Sequence, residues 1–223
     1  TIGTFVGGTN GSTPLVITFN ASSTATAAQA LLRNVTFENV SEDPSELART
    51  VRFVLTDGDG GTSAPATQTI NVAAANDNPS GSGSLTTTSL NDNAGATNLF
   101  GGLSVTDVDT GEADLSLRIT LATPSAGSIS GGGFTETVPG SGVYTVSGLT
   151  TATADTALDN VQFTPTDNCG PSGTFNTDIS VTVNDQGGGG EQTVLPATTV
   201  TITRINDNPS GSGSLTTTSL NDN

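Results

Sequence analysis

Short stretches in which apolar and polar residues alternate run through most of this 223-residue chain. Alternation with a period of two is the pattern of a β-strand that buries one face and exposes the other. Clusters of Gly, Ser, Asn and Asp separate the stretches, and these residue types form the turns between strands. The sequence therefore predicts an all-β protein. The alternating stretches are 14–20, 34–40, 49–57, 67–75, 103–107, 115–123, 134–138, 143–148, 160–166, 177–185 and 198–205.

Two stretches with helical character, 24–34 and 150–160, show that the chain repeats itself. When Leu32 is aligned on Leu158, "LRNVTF" falls on "LDNVQF". Further along, the "NDNP" that begins at 76 falls on the "NDNP" that begins at 206 once about four inserted residues in the second copy are allowed for. Internal similarity over such a distance indicates tandem domains.

A second repeat is identical in every position: residues 76–93 recur unchanged at 206–223. Taken together, the repeats predict one complete domain with parts of two others, and we expect the chain to be a piece of a longer array. The predicted organisation is the C-terminal part of a domain at 1–75, a linker at 76–78, a complete domain at 79–205, and the linker and first strand of a further domain at 206–223.

The charge of the chain excludes several classes of function. A net charge of −16 arises from 21 acidic residues and five arginines, with no lysine or histidine. So few cationic groups cannot neutralise phosphates, which argues against nucleic acid and against anionic membrane surfaces. The usual general bases and activated nucleophiles are also missing, so we expect no enzyme activity. No apolar run reaches the length of a membrane span.

The motif "NDNP" follows the last predicted strand of each domain. Asn and Asp either form a turn there, or their oxygen atoms bind Ca²⁺, which takes six to eight oxygen ligands. Asp107 and Asp109 follow another predicted strand, and a turn lets both carboxylates aim at one ion. In a Greek-key sandwich, the hairpin loop that contains Asp185 lies at the same end as the linker. We call this predicted calcium site the N-terminal pole: Asn76, Asp77, Asn78, Asp107, Asp109 and Asp185.

A second group of acids is expected at the opposite end of the complete domain. The repeated stretch 76–93 is expected to hold the linker and then the first strand of the complete domain, and Asp92 lies at the far end of that strand. Asp167 lies in the loop "TPTDNCGPSG". We call this group the C-terminal pole: Asp92, Asp167, Asn206, Asp207 and Asn208. In the preceding domain, Glu42 and Asp43 of "NVSEDPSE" lie in the corresponding loop and are expected near the first linker.

These motifs resemble the cadherin fold. The order of "NDNP", an acid after the first strand and the Asp107–Asp109 pair is similar to the cadherin linker and its paired-aspartate loop. The layout "ALDNVQF", "TDGDGG" and "NDNP" is similar to the cadherin-like repeats of giant bacterial surface adhesins. The resemblance implies tandem Greek-key, cadherin- or immunoglobulin-like β-sandwich repeats with Ca²⁺ at each junction. The chain departs from cadherins in lacking an LDRE-like segment.

We therefore expect a non-catalytic structural module of an extracellular adhesin or cell-surface filament, whose partners are neighbouring repeats or identical chains. Two alternatives remain open. One is a fibre subunit whose last strand completes a neighbouring chain by strand exchange. The other is a module whose loops bind a glycan or protein at a surface. An enzyme that uses the Asp107–Asp109 pair is the weakest reading, because acids at a junction suit a metal better than a substrate.

Overall fold

The protein is described from a computed structural model that covers residues 1–109, 114–168 and 173–207. Strands make up 41% of the described residues and helices 11%, so the predicted predominance of β-structure is confirmed. The chain forms two compact units, Thr1–Pro44 and Ser45–Asn223. None of the described helices is long and apolar enough to cross a membrane.

The first unit contains a hairpin and one helix. Strand β1 (Gly3–Val6) pairs antiparallel with β2 (Val16–Phe19), and α1 (Ala25–Leu32) follows. The Thr24 hydroxyl accepts the Ala27 N–H and caps the helix, as Thr residues commonly do at this position. All of residues 1–44 are described, and Pro44 is the only buried one. This unit therefore has no hydrophobic core of its own.

The second unit begins with two short antiparallel pairs. Strand β3 (Arg49–Phe53) pairs with β4 (Ala66–Ile70), and β5 (Ser80–Gly83) pairs with β7 (Leu103–Thr106). The segment 76–78 connects β4 to β5.

The main element of the second unit is a six-stranded mixed sheet. In spatial order its strands are β10 (Thr135–Glu136), β11 (Val143–Leu149), β8 (Leu115–Leu121), β13 (Thr174–Asn184), β14 (Gln192–Thr203) and β6 (Ser89–Asn91). All neighbours are antiparallel except β14 and β6, which are parallel. A separate antiparallel pair joins β9 (Gly127–Gly131) to β12 (Val161–Pro165).

One hydrophobic cluster forms the core of this unit. In β8, "LSLRITL", the four aliphatic side chains are buried and the three polar ones between them are half-buried, as the alternation predicts. Helix α2 (Thr151–Asn160) adds Ala154 and Leu158 to the same cluster, and Phe100 and Phe163 are fully buried. The capping box between Thr150 and Thr153 begins this helix at the predicted place.

The structure corrects one predicted strand. Residues 34–40 are irregular, although the aligned residues 160–166 contain β12. Strand β12 pairs with β9 and buries Phe163, whereas Phe37 is 48% exposed and no described strand pairs with its segment. An alternating sequence becomes a strand only when a partner supplies hydrogen bonds and a core face.

The predicted first strand of the complete domain is two strands in the structure. Strand β5 pairs with β7, whereas β6 pairs with β14 in the six-stranded sheet. Between them the chain passes Leu85, which is buried in the core. The predicted sandwich and the repeated domains stay predictions.

The burial pattern predicts a large difference between two leucine substitutions. Leu117 is completely buried and Leu47 is 80% exposed. We expect Leu117→Ala to lower the free energy of unfolding by about 2–5 kcal/mol, because it removes buried methyl groups and leaves a cavity. The matched control Leu47→Ala should change it by less than about 0.5 kcal/mol. Chemical denaturation followed by circular dichroism checks this, and equal effects of the two substitutions would contradict the core described here.

Candidate metal site at the linker

Two hydrogen bonds attach the first linker to acidic side chains. The side-chain amide of Asn76 donates to Asp185 Oδ2 at 2.8 Å, and the backbone N–H of Asp77 donates to Asp109 Oδ2 at 2.6 Å. Asp107 joins the group because its Oδ1 accepts the backbone N–H of Asp109 at 3.1 Å. The structure thus brings five of the six residues of the N-terminal pole into one hydrogen-bonded group.

The strand ends explain why these residues meet. Asp107 follows the end of β7, and the linker precedes the start of β5, its antiparallel partner. Ser80 therefore lies opposite Thr106, and their hydroxyl groups are 2.8 Å apart. Asp185 directly follows β13, whose end lies at the same pole.

The carboxylates of the N-terminal pole repel one another. Burial raises the pKa of Asp107 above its ordinary value of 3.8, and the negative charges of Asp109, Asp185 and Asp114 raise it further. Asp185 is only 2% exposed. Within the described part of the chain, every hydrogen bond given to these carboxylates comes from an amide group and none from an arginine. The pole therefore lacks a compensating positive charge among these contacts.

The donor set suits a hard divalent cation, since it consists of carboxylate and amide oxygens. The described residues nevertheless contain no group of three or more acidic side chains already arranged to hold a metal ion. Closing on an ion would require side chains to turn. Asn76, which now donates its amide N–H to Asp185, can present its oxygen instead after a half-turn of the amide. The oxygen donors are of the type that Ca²⁺ binds, but the side chains are not yet arranged around one ion.

The C-terminal pole is arranged differently, because backbone amides satisfy its buried acid. Asp92 is 2% exposed; its Oδ1 accepts the Ile205 N–H at 2.9 Å and its Oδ2 accepts the Asn168 N–H at 3.1 Å. The Ile205 amide lowers the pKa of Asp92 most, and it outweighs the opposing effect of burial. Asp92 thus ties the segment after β14 to the end of β6.

Asn168 connects the remaining residues of the C-terminal pole. Its side-chain amide donates to Asp207 Oδ2 at 3.0 Å and to Asp167 Oδ1 at 3.1 Å, and its Oδ1 accepts from Arg204 at 3.0 Å. Asn206 is exposed beside Asp207. Asn208 lies outside the described residues. The pole gathers here as a hydrogen-bonded network.

Glu42 and Asp43 are exposed in an irregular segment of the first unit. Their approach to the linker, which belongs to the second unit, stays a prediction.

Sequence reasoning missed several residues that act on the two poles or contact the linkers. The charge of Asp114 raises the pKa of Asp107, but Asp114 lacks the paired spacing of Asp107 and Asp109 that marks a candidate ligand in the sequence. Asn168 was overlooked beside Asp167, although its position next to an acid in a loop is a usable signal. The sequence analysis assigns no role to the glycine run 187–190, yet Gly187 and Gly189 lie directly against the linker.

The environment of Asp92 predicts a pH-dependent contribution to stability. Because its folded-state pKa lies below 3.8, its ionised form stabilises the fold above that pH, and this contribution is lost as the pH falls through the folded pKa. We expect Asp92→Asn to lower the melting temperature at pH 5–7, with the gap to the wild type closing below pH 3.8. Calorimetric melting checks this, and Asp159→Asn at an exposed site is the control. A gap that stays constant with pH would contradict it.

For Asp107 we expect stability to depend on pH in the opposite direction. Its folded-state pKa lies above 3.8, so without divalent cations stability is lost as the pH rises from 3.8 through the folded pKa, and the loss persists at pH 7. In chelator, Asp107→Asn should therefore melt at a higher temperature than the wild type at pH 7 and at the same temperature below pH 3.8. A lower melting temperature for Asp107→Asn at pH 7 would show that the carboxylate is not under strain.

Comparisons with known proteins assign no family to this chain. No family model matches it, and no curated protein matches it. The features of this chain that bear on its function are the two poles and the pattern of repeats.

Proposed function

We propose that this chain is a non-catalytic structural part of an extracellular adhesin or cell-surface filament, built from tandem β-sandwich repeats with Ca²⁺ at their junctions. The observation that carries the proposal is the attachment of linker 76–78 to the acids of the N-terminal pole. A cation bound there would bridge the linker and the domain that follows it. Its role would be to stiffen the joint.

The electrostatics of the N-terminal pole support a cation. The pKa of Asp107 is raised by burial and by three neighbouring acids. The electrostatic repulsion between the carboxylates is therefore unfavourable when no metal is bound. Ca²⁺ would remove that repulsion and make metal binding and linker ordering a single event. Extracellular modules bind Ca²⁺ with Kd of about 10⁻⁴–10⁻³ M, which suits a surface exposed to an external supply of calcium.

The positions of the helices support the repeat. Helices α1 and α2 occupy aligned segments, and each begins after a capping threonine, Thr24 and Thr150. The hairpins β3–β4 and β13–β14 also follow these helices in the same order. Two segments of one chain with the same order of elements are what a tandem array requires.

One observation favours the strand-exchange alternative. The first unit leaves an open cavity of about 450 Å³ whose lining includes Ile2, Phe5, Leu15, Ile17 and Phe19. Exposed apolar surface of this kind is often buried by a binding partner, and a strand from an identical chain could bury it here. Calcium-independent association of the chain, seen by sedimentation, would favour that alternative.

Calcium titration of the full chain by calorimetry tests the proposal. We expect binding with a Kd of about 10⁻⁴–10⁻³ M, and at least roughly tenfold weaker binding in Asp77→Ala/Asp107→Ala, because carboxylate count sets the affinity of such sites. The control Asp159→Ala/Asp178→Ala removes the same charge from exposed positions away from the linker and should bind like the wild type.

Absence of binding heat in the wild type would leave "NDNP" a plain turn and remove the metal from the proposal. Equal affinity in both double variants would show that calcium binds elsewhere. Small-angle scattering extends the test, because a stiffened joint predicts that chelator changes the extension of the chain before circular dichroism reports unfolding.

A further inference from the structure

The glycine run 187–190 lies between Asp185 and β14, and its four residues differ in their surroundings. Gly188 and Gly190 have φ of +99° and +77° with open space around them, so their backbone conformation favours glycine. Gly187 and Gly189 have no positive φ. A methyl group at Gly187 would instead overlap the side chain of Asn76, and one at Gly189 would overlap the side chain of Asn78.

The loop that carries these glycines is held on both sides. The Gly187 N–H donates to Asp185 Oδ1 at 2.8 Å, and the Gln192 side chain donates to the carbonyl oxygens of Gly189 at 3.2 Å and Gly190 at 3.4 Å. These hydrogen bonds restrain the loop backbone at both ends, so the loop cannot easily shift to make room for an added methyl group. The linker side chains are the part that would have to move.

We infer that Gly187 and Gly189 are positioning residues for the linker: their bare Cα atoms form a seat into which Asn76 and Asn78 fit. The seat orients the linker by shape, in addition to the hydrogen bonds to Asp185 and Asp109. It goes beyond the proposed function because it operates without metal. Only its consequence for calcium, a correctly placed pair of Asn ligands, rests on the proposed function.

The Asp77 N–H is the natural reporter, because it lies between the two seated asparagines and donates to Asp109. We expect Gly187→Ala and Gly189→Ala to accelerate its hydrogen exchange roughly tenfold in chelator, about the protection that one hydrogen bond provides. The amides of β8 and β13 should exchange as in the wild type, which shows that the variants fold. The control Gly95→Ala, also without positive φ and with nothing within 4 Å of the added methyl, should change nothing.

A double-mutant cycle separates the seat from a general effect on the loop. In an Asn78→Ala background the overlapping side chain is gone, so Gly189→Ala should no longer accelerate exchange at Asp77. An undiminished effect in that background, or wild-type exchange in Gly187→Ala and Gly189→Ala, would overturn the inference.

Calcium titration of the same variants keeps the two proposals apart. We expect several-fold weaker calcium binding in Gly189→Ala than in Gly95→Ala. If the wild type binds no calcium but the glycine variants accelerate exchange at Asp77 as expected, the inference about the seat is supported and the proposed metal role is wrong. If the wild type binds calcium and exchange is the same in all variants, the metal role stands and the seat is wrong.

Discussion

The antiparallel pairing of β13 with β14 is the constraint on which both poles depend. Strand β13 ends directly before Asp185 at one pole, and β14 ends directly before Arg204 and Ile205 at the other. The twelve residues of β14 span roughly 40 Å at the usual rise per residue. One hairpin thus sets the positions of both linkers relative to one core. A slip in its register would move both groups of acids and turn the buried side chains outward.

Among the described residues, the two buried aspartates, Asp92 and Asp185, have opposite environments. Asp92 receives backbone N–H groups, which stabilise its charge and complete its hydrogen bonding. Asp185 also accepts hydrogen bonds from amide groups, but it lies near Asp107 and Asp109. The negative charges of Asp185 and Asp109 raise the pKa of Asp107. The buried acid of the C-terminal pole is therefore satisfied by hydrogen bonds, whereas the carboxylates of the N-terminal pole repel one another. This asymmetry is the physical basis for placing the proposed Ca²⁺ at the N-terminal pole first.

Much of the regular structure follows from local pattern, and the exceptions have a common cause. Strands β8 and β13 and both helices lie where alternation and capping residues predict them. Strands β1 and β9 escaped prediction because "GTFV" and "GSISG" are too short and too rich in small residues to alternate clearly. Residues 34–40 alternate well but form no strand, since none of the described strands pairs with them. Strand β14 runs further than predicted, through Pro196, because an irregularity between Leu195 and Thr198 leaves that residue out of the ladder.

The sequence by itself determined that the protein is mostly β, where its helices begin, and that acids and asparagines follow the ends of strands. Those features are local, because period, capping and turn residues act over a few positions. Only the tertiary structure decided that Asn76 meets Asp185, 109 positions away, and that the first strand divides between two sheets. It also decided that two glycines lie against the linker. Such contacts depend on which distant strands pair, and pairing is chosen by the shared core rather than by any one segment.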